Sequence, residues 1–146
     1  MNTVFDKAFN FVLTYEGVYS NDPDDPGGVT KYGISKKSHP NVDVENLTVD
    51  GAKDIYRREY WIPAGCEQAA PKLAVVVFDS AVNCGVSRAV HWLTEDPTVE
   101  GILMQRIEHY ITICRSNPSQ RKFLRGWLRR VVGLWELSRN ITNING

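Results

Sequence analysis

Cysteine is scarce in this chain. Cys66, Cys84 and Cys114 are three among 146 residues, an odd number without metal-site spacing. That argues against a disulfide framework, and the three are expected as small buried apolar residues of a protein made in a reducing compartment. His39, His91 and His109 share no ligand-like spacing with one another or with the cysteines, which argues against a zinc amidase; no metal and no cofactor are expected. His109 reads as a surface position. No run approaches the roughly 18 apolar residues of a membrane span, so stable membrane insertion is not expected. Asp6 and Lys7 stand where a secretory signal would need an apolar core, so synthesis in the cytoplasm without a signal peptide is expected. Net charge is also lacking: 17 basic residues balance 17 acidic ones, and no global field points to nucleic acid. Internal repeats and low-complexity segments are absent.

The composition, 42% hydrophobic and 23% charged, is that of a folded domain, and the length suits one domain. Phe5, Ala8, Phe9, Val12 and Leu13 fall at helical spacing from about residue 3, and the same stripe extended reaches Glu16 before Gly17 ends the helix. Residues 18–39 change character. Asn21-Asp22-Pro23-Asp24-Asp25-Pro26-Gly27-Gly28 is dense in turn formers, and Val29–Ser35 is expected to form a short hairpin with Val18–Ser20. A helix is predicted from about Thr48 to Trp61, then a buried central helix from Leu73 through Val82, and a short helix over about Ser87–Leu93. In the fifth helix Asp96 reads as N-cap with Pro97 in the first turn, over a core face of Val99, Ile102, Leu103, Ile107, Tyr110, Ile111 and Cys114. The last helix opens at Asn117-Pro118 with Gln120 placed for a capping box. It is expected to bury Phe123, Leu124, Trp127, Leu128, Val131, Leu134 and Trp135. The fold class is therefore mostly α, with a small turn-rich or β-hairpin insertion after the first helix.

Glu16 stands on the apolar edge of its helix, where partial desolvation would raise a carboxyl pKa. Glycosidic cleavage needs such a proton-bearing acid, and a second group that steadies an oxocarbenium-like transition state or directs water. Asp22, Asp24 and Asp25 lie in the adjoining loop, where Gly27 and Gly28 permit a sharp turn, and the Thr30 hydroxyl is suited to hold a water. Two other readings fit these residues equally: a surface glutamate at a helix end, and an aspartate loop that binds calcium or nothing. From Arg115 to Arg139 the basic residues Arg115, Arg121, Lys122, Arg125, Arg129, Arg130 and Arg139 face Glu136 alone. Such a run is either a solvated helix face or a patch that meets an acidic polymer.

Tyr15-Glu16-Gly17-Val18-Tyr19, followed by Asp25-Pro26-Gly27-Gly28-Val29-Thr30-Lys31-Tyr32-Gly33-Ile34, resembles the N-terminal signature of the family-108 glycoside hydrolases, lysozyme-like muramidases of phages and bacteria. The resemblance continues through Tyr56-Arg57-Arg58-Glu59-Tyr60-Trp61 and Phe78-Asp79-Ser80-Ala81-Val82-Asn83-Cys84-Gly85-Val86 to Phe123-Leu124-Arg125-Gly126-Trp127-Leu128-Arg129-Arg130-Val131. It departs from the family at Val18, where a second glycine is common, and at Ile62, where a carboxylate or amide is expected. It implies a lysozyme-like superfamily fold in a single domain over 1–146. Residues 1–65 would be its catalytic part, and residues 66–146 a helical part similar to the family's peptidoglycan-binding region. Phage-type lysozymes place an Asp about nine residues after the Glu and a Thr a few residues later, as Asp25 and Thr30 stand here. The resemblance therefore implies Glu16 as general acid, with Asp25 and Thr30 positioning water and Asp24 the alternative second carboxylate.

The implied activity is that of an N-acetylmuramidase cutting the β-1,4 bond between N-acetylmuramic acid and N-acetylglucosamine. The partner would be bacterial peptidoglycan in the periplasm, the enzyme a monomer. The setting would be a phage or prophage endolysin, or a muramidase serving export, released by a separate holin or export factor. Tyr32, Tyr60 and Trp61 are candidates for stacking on sugar rings, or else belong to the core or the cleft wall. Asp79 and Asn83 interrupt an apolar helix, so they either organise the active-site loop or touch substrate. Glu59 is expected in an ion pair. Two readings of other classes stay open: a non-catalytic wall-binding or phage structural module, and a lytic transglycosylase, against which the Asp25/Thr30 pair argues.

Overall fold

Thr3 starts the first helix, α1 (Val4–Glu16), because its hydroxyl accepts the Asp6 N–H at 3.1 Å while the Asp6 carboxylate accepts the Thr3 N–H at 3.0 Å. The Thr3 N–H and the Lys53 ammonium, 3.0 Å away, hold the Asp6 carboxyl down at about 2. This ties α1 to α2 (Val49–Tyr56), which Thr48 caps through Gly51 N–H. The computed structural model describes residues 3–21 and 28–142.

The predicted stripe on α1 packs inward: Phe5, Ala8, Phe9 and Val12 are buried. It lies against α3 (Pro71–Cys84), in which every residue from Ala74 to Ala81 is buried. A helix apolar on all sides can only be a core helix, and α3 is packed on by α1, α4 (Val86–Glu95), α5 (Val99–Ser116) and α6 (Arg121–Arg139). Gly85, at φ 96°, ends α3 and starts α4 with no intervening loop. An aromatic cluster of Phe5, Phe9, Tyr56, Trp61 and Phe78 closes the α1 side, with ring centroids 5.2–6.2 Å apart. Among the described residues, no helix is long and apolar enough to cross a membrane.

Two helix starts differ from expectation. Thr98, not Asp96, caps α5, its hydroxyl accepting from Gly101 N–H at 2.9 Å and donating to Asp96 at 2.9 Å. Pro97 therefore lies before the helix. Pro118–Gln120 forms a 3-10 turn, and α6 begins at Arg121 without a side-chain cap. The buried face of α6 is also narrower than expected. Val131 and Leu134 are buried, and Trp127 stacks on Tyr110 at 4.9 Å, but Phe123 and Trp135 are 45% and 38% exposed. On α5, Ile111 is exposed and Arg106 takes a core place. Cys66 and Cys114 are buried, Cys84 is half-buried, and all three are free thiols. His109 is half-buried beside Arg88 and lines an open hollow at the surface.

After α1 the chain builds an antiparallel sheet in the order β1 (Tyr19–Ser20), β2 (Thr30–Lys31), β3 (Ile34–Ser35). Thr30 pairs with Ser20 and Ser35, and Lys31 with Tyr19 and Ile34. The two-residue turn Tyr32-Gly33 has φ of 52° and 77°, positive at both positions as a type I′ hairpin turn requires. Tyr32 keeps this costly conformation because its N–H donates to Val18 C=O at 2.7 Å and its C=O accepts from the Tyr56 hydroxyl at 2.8 Å. Buried Ile34 anchors the hairpin in the core.

Candidate active site

Glu16 is the last residue of α1. Gly17, at φ 80°, donates its N–H to Leu13 C=O at 2.9 Å and turns the chain into β1, leaving the glutamate at the helix end. The hairpin turn comes down on it: a methyl group on Gly33 would overlap the Tyr56 hydroxyl and lie 3.1 Å from Glu16 Cβ. The Glu16 side chain is 33% exposed, so the carboxylate stands at a rim, with one side open and the other against protein.

The protein side is charged, where the sequence suggested an apolar neighbourhood. Arg130 Nη1 donates to Glu16 Oε1 at 2.9 Å. The same guanidinium donates through Nη2 to Asp79 at 2.8 Å and through Nε to both Asp79 oxygens at 3.1 and 3.2 Å. The other Asp79 oxygen takes Arg106 Nη1 at 2.8 Å. Arg106 in turn donates to Ser80 Oγ at 3.1 Å and to the Tyr110 hydroxyl at 2.7 Å, and that hydroxyl donates to Asn83 Oδ1. Arg106 and Asp79 are 0% and 1% exposed and Arg130 5%. Burial alone would push both arginines down, but Asp79, aided at Arg130 by Glu16, holds them above the ordinary value. Burial likewise pushes the Tyr110 hydroxyl up to about 12, so it remains a donor.

Tyr32 and Tyr60 are half-buried, Tyr60 tilted against Tyr56 with centroids 5.7 Å apart. Burial, and after it the charges of Glu59 and Glu16, pushes the Tyr60 hydroxyl up. Thr30 is half-buried in the middle strand of the sheet. Trp61 takes the core alternative: it is 4% exposed, edge-on to Phe5 and Phe78, with its indole N–H on Glu67 at 3.0 Å. A π-helical turn over Arg57–Trp61 carries it there and leaves Glu59 outside, in contact with His39 Nε2 at 2.8 Å, an ion pair only when that imidazole is protonated. Asp79, suggested as a substrate contact, is inaccessible because both its oxygens are taken by buried guanidiniums. Asn83 is half-buried and holds the Tyr110 and Cys84 side chains. Asp25 and its alternative Asp24 lie outside the described residues.

Arg130 and Arg106 are the residues the sequence reading missed. The signal was available: each stands on an apolar stripe, Arg130 with Trp127, Val131 and Leu134, Arg106 with Ile102, Leu103 and Tyr110. Asp79, the one carboxylate of α3, stands in the apolar run from Leu73 to Val82. Beside the site, Tyr15, Leu124, Leu128 and Val132 line an open groove of about 800 Å³ edged by Arg121, Arg125 and Arg129, with Glu136 as its one acidic residue. A separate cavity of about 350 Å³, between Phe5, Trp61 and Pro71, lies at the start of α1 and does not include Glu16.

A buried helix wrapped by other helices, with a three-stranded sheet folded over the end of the first, makes a mostly α fold with a small β insertion. Among solved structures it is similar to that titled "Structure of Brucella abortus SagA", with a TM-score of 0.73 and 23% identity over 97% of each chain; at that identity the likeness is one of fold. No curated protein matches the chain. The family model described as Glycosyl hydrolase 108 matches residues 9–85, just over half of the sequence. The chain belongs to that family and is a glycoside hydrolase.

Proposed function

We propose that the protein is an N-acetylmuramidase that hydrolyses the β-1,4 bond between N-acetylmuramic acid and N-acetylglucosamine in peptidoglycan, with Glu16 as its general acid. The observation that carries this reading is the position of Glu16, a carboxylate one-third exposed at a helix end, roofed by a hairpin turn and backed by a buried arginine. Membership of the family, whose matched region spans residues 9–85 and so includes Glu16, supports the substrate class.

In this mechanism Glu16 protonates the glycosidic oxygen as the bond to the anomeric carbon breaks. Asp25 with Thr30 directs water or steadies the developing positive charge. Tyr32 and Tyr60 offer half-buried ring faces to the sugar units. The groove beside Tyr15, edged by three exposed arginines, suits the carboxylates that peptide stems add to the glycan.

The test is a digest of purified Gram-negative peptidoglycan by wild type, Glu16→Gln and Asp25→Asn, with fragments read by mass spectrometry. Wild type is expected to release fragments with reducing N-acetylmuramic ends, folded Glu16→Gln none, and Asp25→Asn far fewer. Anhydro ends would reassign the enzyme to the transglycosylases. Unchanged digestion by Glu16→Gln would remove Glu16 from the chemistry.

A further inference from the structure

Taking Glu16 as the general acid, we propose that Arg130 is the positioning residue of that acid. In this role it fixes the Glu16 carboxyl group in place and stabilises the carboxylate that forms when the proton leaves. Three observations carry the proposal.

The first is orientation. Arg130 has a forked head, and the structure gives the two arms different partners. Nε and Nη2 are both committed to Asp79, while Nη1 projects to Glu16. Asp79 is itself immobilised by Arg106, and Arg106 by Ser80 and Tyr110. The donor that meets Glu16 is therefore aimed by buried side chains of α3 and α5, not by a flexible surface side chain.

The second is charge. The buried set of Arg106, Arg130 and Asp79 carries one positive charge in excess. Among the described residues, Glu16 is the other carboxylate in ion-pair contact with it. With a proton on Glu16 that excess is unbalanced, and with the proton gone it is neutralised.

The third is the bond changes. The Glu16 O–H bond breaks and its proton passes to the glycosidic oxygen. The bond from that oxygen to the anomeric carbon breaks with its electron pair on oxygen, and Glu16 is left as an anion 2.9 Å from a guanidinium fixed in advance. Counted from the complex in which Glu16 carries its proton, an interaction that grows as the proton leaves favours the transition state over bound substrate. It therefore acts on kcat rather than on KM.

A merely structural tie between α1 and α6 makes a different prediction, and the nature of the leaving group separates the two. The experiment compares wild type, Arg130→Met and Arg130→Lys on peptidoglycan and on the 4-nitrophenyl β-glycoside of the N-acetylglucosamine–N-acetylmuramic acid disaccharide, whose nitrophenolate departs without a proton. On peptidoglycan Arg130→Met is expected to lose about 100-fold in kcat with KM within about twofold. On the aryl glycoside its loss should be less than about 10-fold. Arg130→Lys, which keeps the charge but not the fork, should regain part of the lost kcat on peptidoglycan. If Arg130→Met is too unstable to purify, Arg130→Lys carries the test by the same rule, a larger loss on peptidoglycan than on the aryl glycoside. Equal losses on both substrates, or a raised KM with unchanged kcat, would overturn the proposal. Glu16→Gln run alongside keeps the two readings apart: activity of that variant on peptidoglycan would remove Glu16 as the acid, whereas its inactivity together with leaving-group-independent Arg130 variants would reject the role of Arg130 alone.

Discussion

Arg129 and Arg130 are neighbours in the chain and in opposite environments. Arg129 is exposed on the outer face of α6, in line with Arg121 and Arg125 at one-turn spacing. Arg130 is buried, bonded to Asp79 and Glu16, and sits over the Tyr15 ring at 5.3 Å. The difference is the helical rotation of about 100° per residue, which turns one side chain to water and the next to the core. It also sets what each can do. A charge in water is screened and exchangeable, good for holding a polymer along a groove. A buried charge must be matched where it stands, which makes it good for fixing one other group.

The comparison breaks first at Asp79. Asp79→Asn leaves two buried guanidiniums with Glu16 as their counter-charge. Removing one member of such a set is expected to destabilise by about 3–5 kcal/mol. Thermal unfolding should then fall by roughly 6–20 °C at this chain length. A fall below about 2 °C would mean that water reaches the cluster and that the arginines do not depend on Asp79. Far-UV circular dichroism during the melt measures it.

Helical periodicity in the sequence was enough to locate α1, the central α3 and the carboxylate at the end of α1, because an apolar stripe has one way to be buried. The sign of Glu16's surroundings was not legible. The stripe leading to it is apolar, and the arginine behind it comes from 114 residues further along the chain. A local pattern cannot report such a partner, and Arg130 read on its own was one more member of a basic run. Trp61 illustrates the reverse limit. Its neighbours Glu59 and Tyr60 face outward or are half-buried, and an extra residue in the π-helical turn carries Trp61 into the core, a shift that a 3.6-residue repeat does not contain. The pairing of Tyr19–Ser20 with Thr30–Lys31 was legible, but the hairpin that turns Val29–Ser35 back on itself was not. Its tight Tyr32-Gly33 turn depends on bonds to Val18 and Tyr56, which the local sequence does not announce.

Gly33 sharpens the comparison at the level of the hairpin. Gly33 and Gly65 have nearly the same φ, 77° and 78°, yet a methyl at Gly65 meets nothing within 4 Å while one at Gly33 strikes Tyr56 and Glu16. Gly65→Ala should cost about 1–2 kcal/mol from backbone strain alone. Gly33→Ala should cost roughly 1–3 kcal/mol more, because the turn must lift off the core. It should also lower peptidoglycan hydrolysis beyond its effect on stability, whereas Gly65→Ala should not. Equal costs at the two glycines would mean that the hairpin does not press on Glu16.

The smallest effect on stability belongs to the outer face. Arg125→Ala with Arg129→Ala removes two exposed cations from the groove edge without touching the buried set, and each should change stability by less than about 0.5 kcal/mol. Their effect is expected in binding. Co-sedimentation with purified sacculi should weaken at low salt, and the difference from wild type should shrink as salt is raised past about 0.5 M, because screening already weakens the wild-type contact there. The aryl disaccharide, which carries no peptide stem, should be hydrolysed as fast as by wild type. Weaker binding to sacculi with kcat on peptidoglycan kept would set the two neighbouring arginines apart: Arg130 acting where the leaving group needs a proton, Arg129 in holding the polymer. Slower hydrolysis of the small substrate by the double variant would join the outer face to the chemistry and remove the distinction.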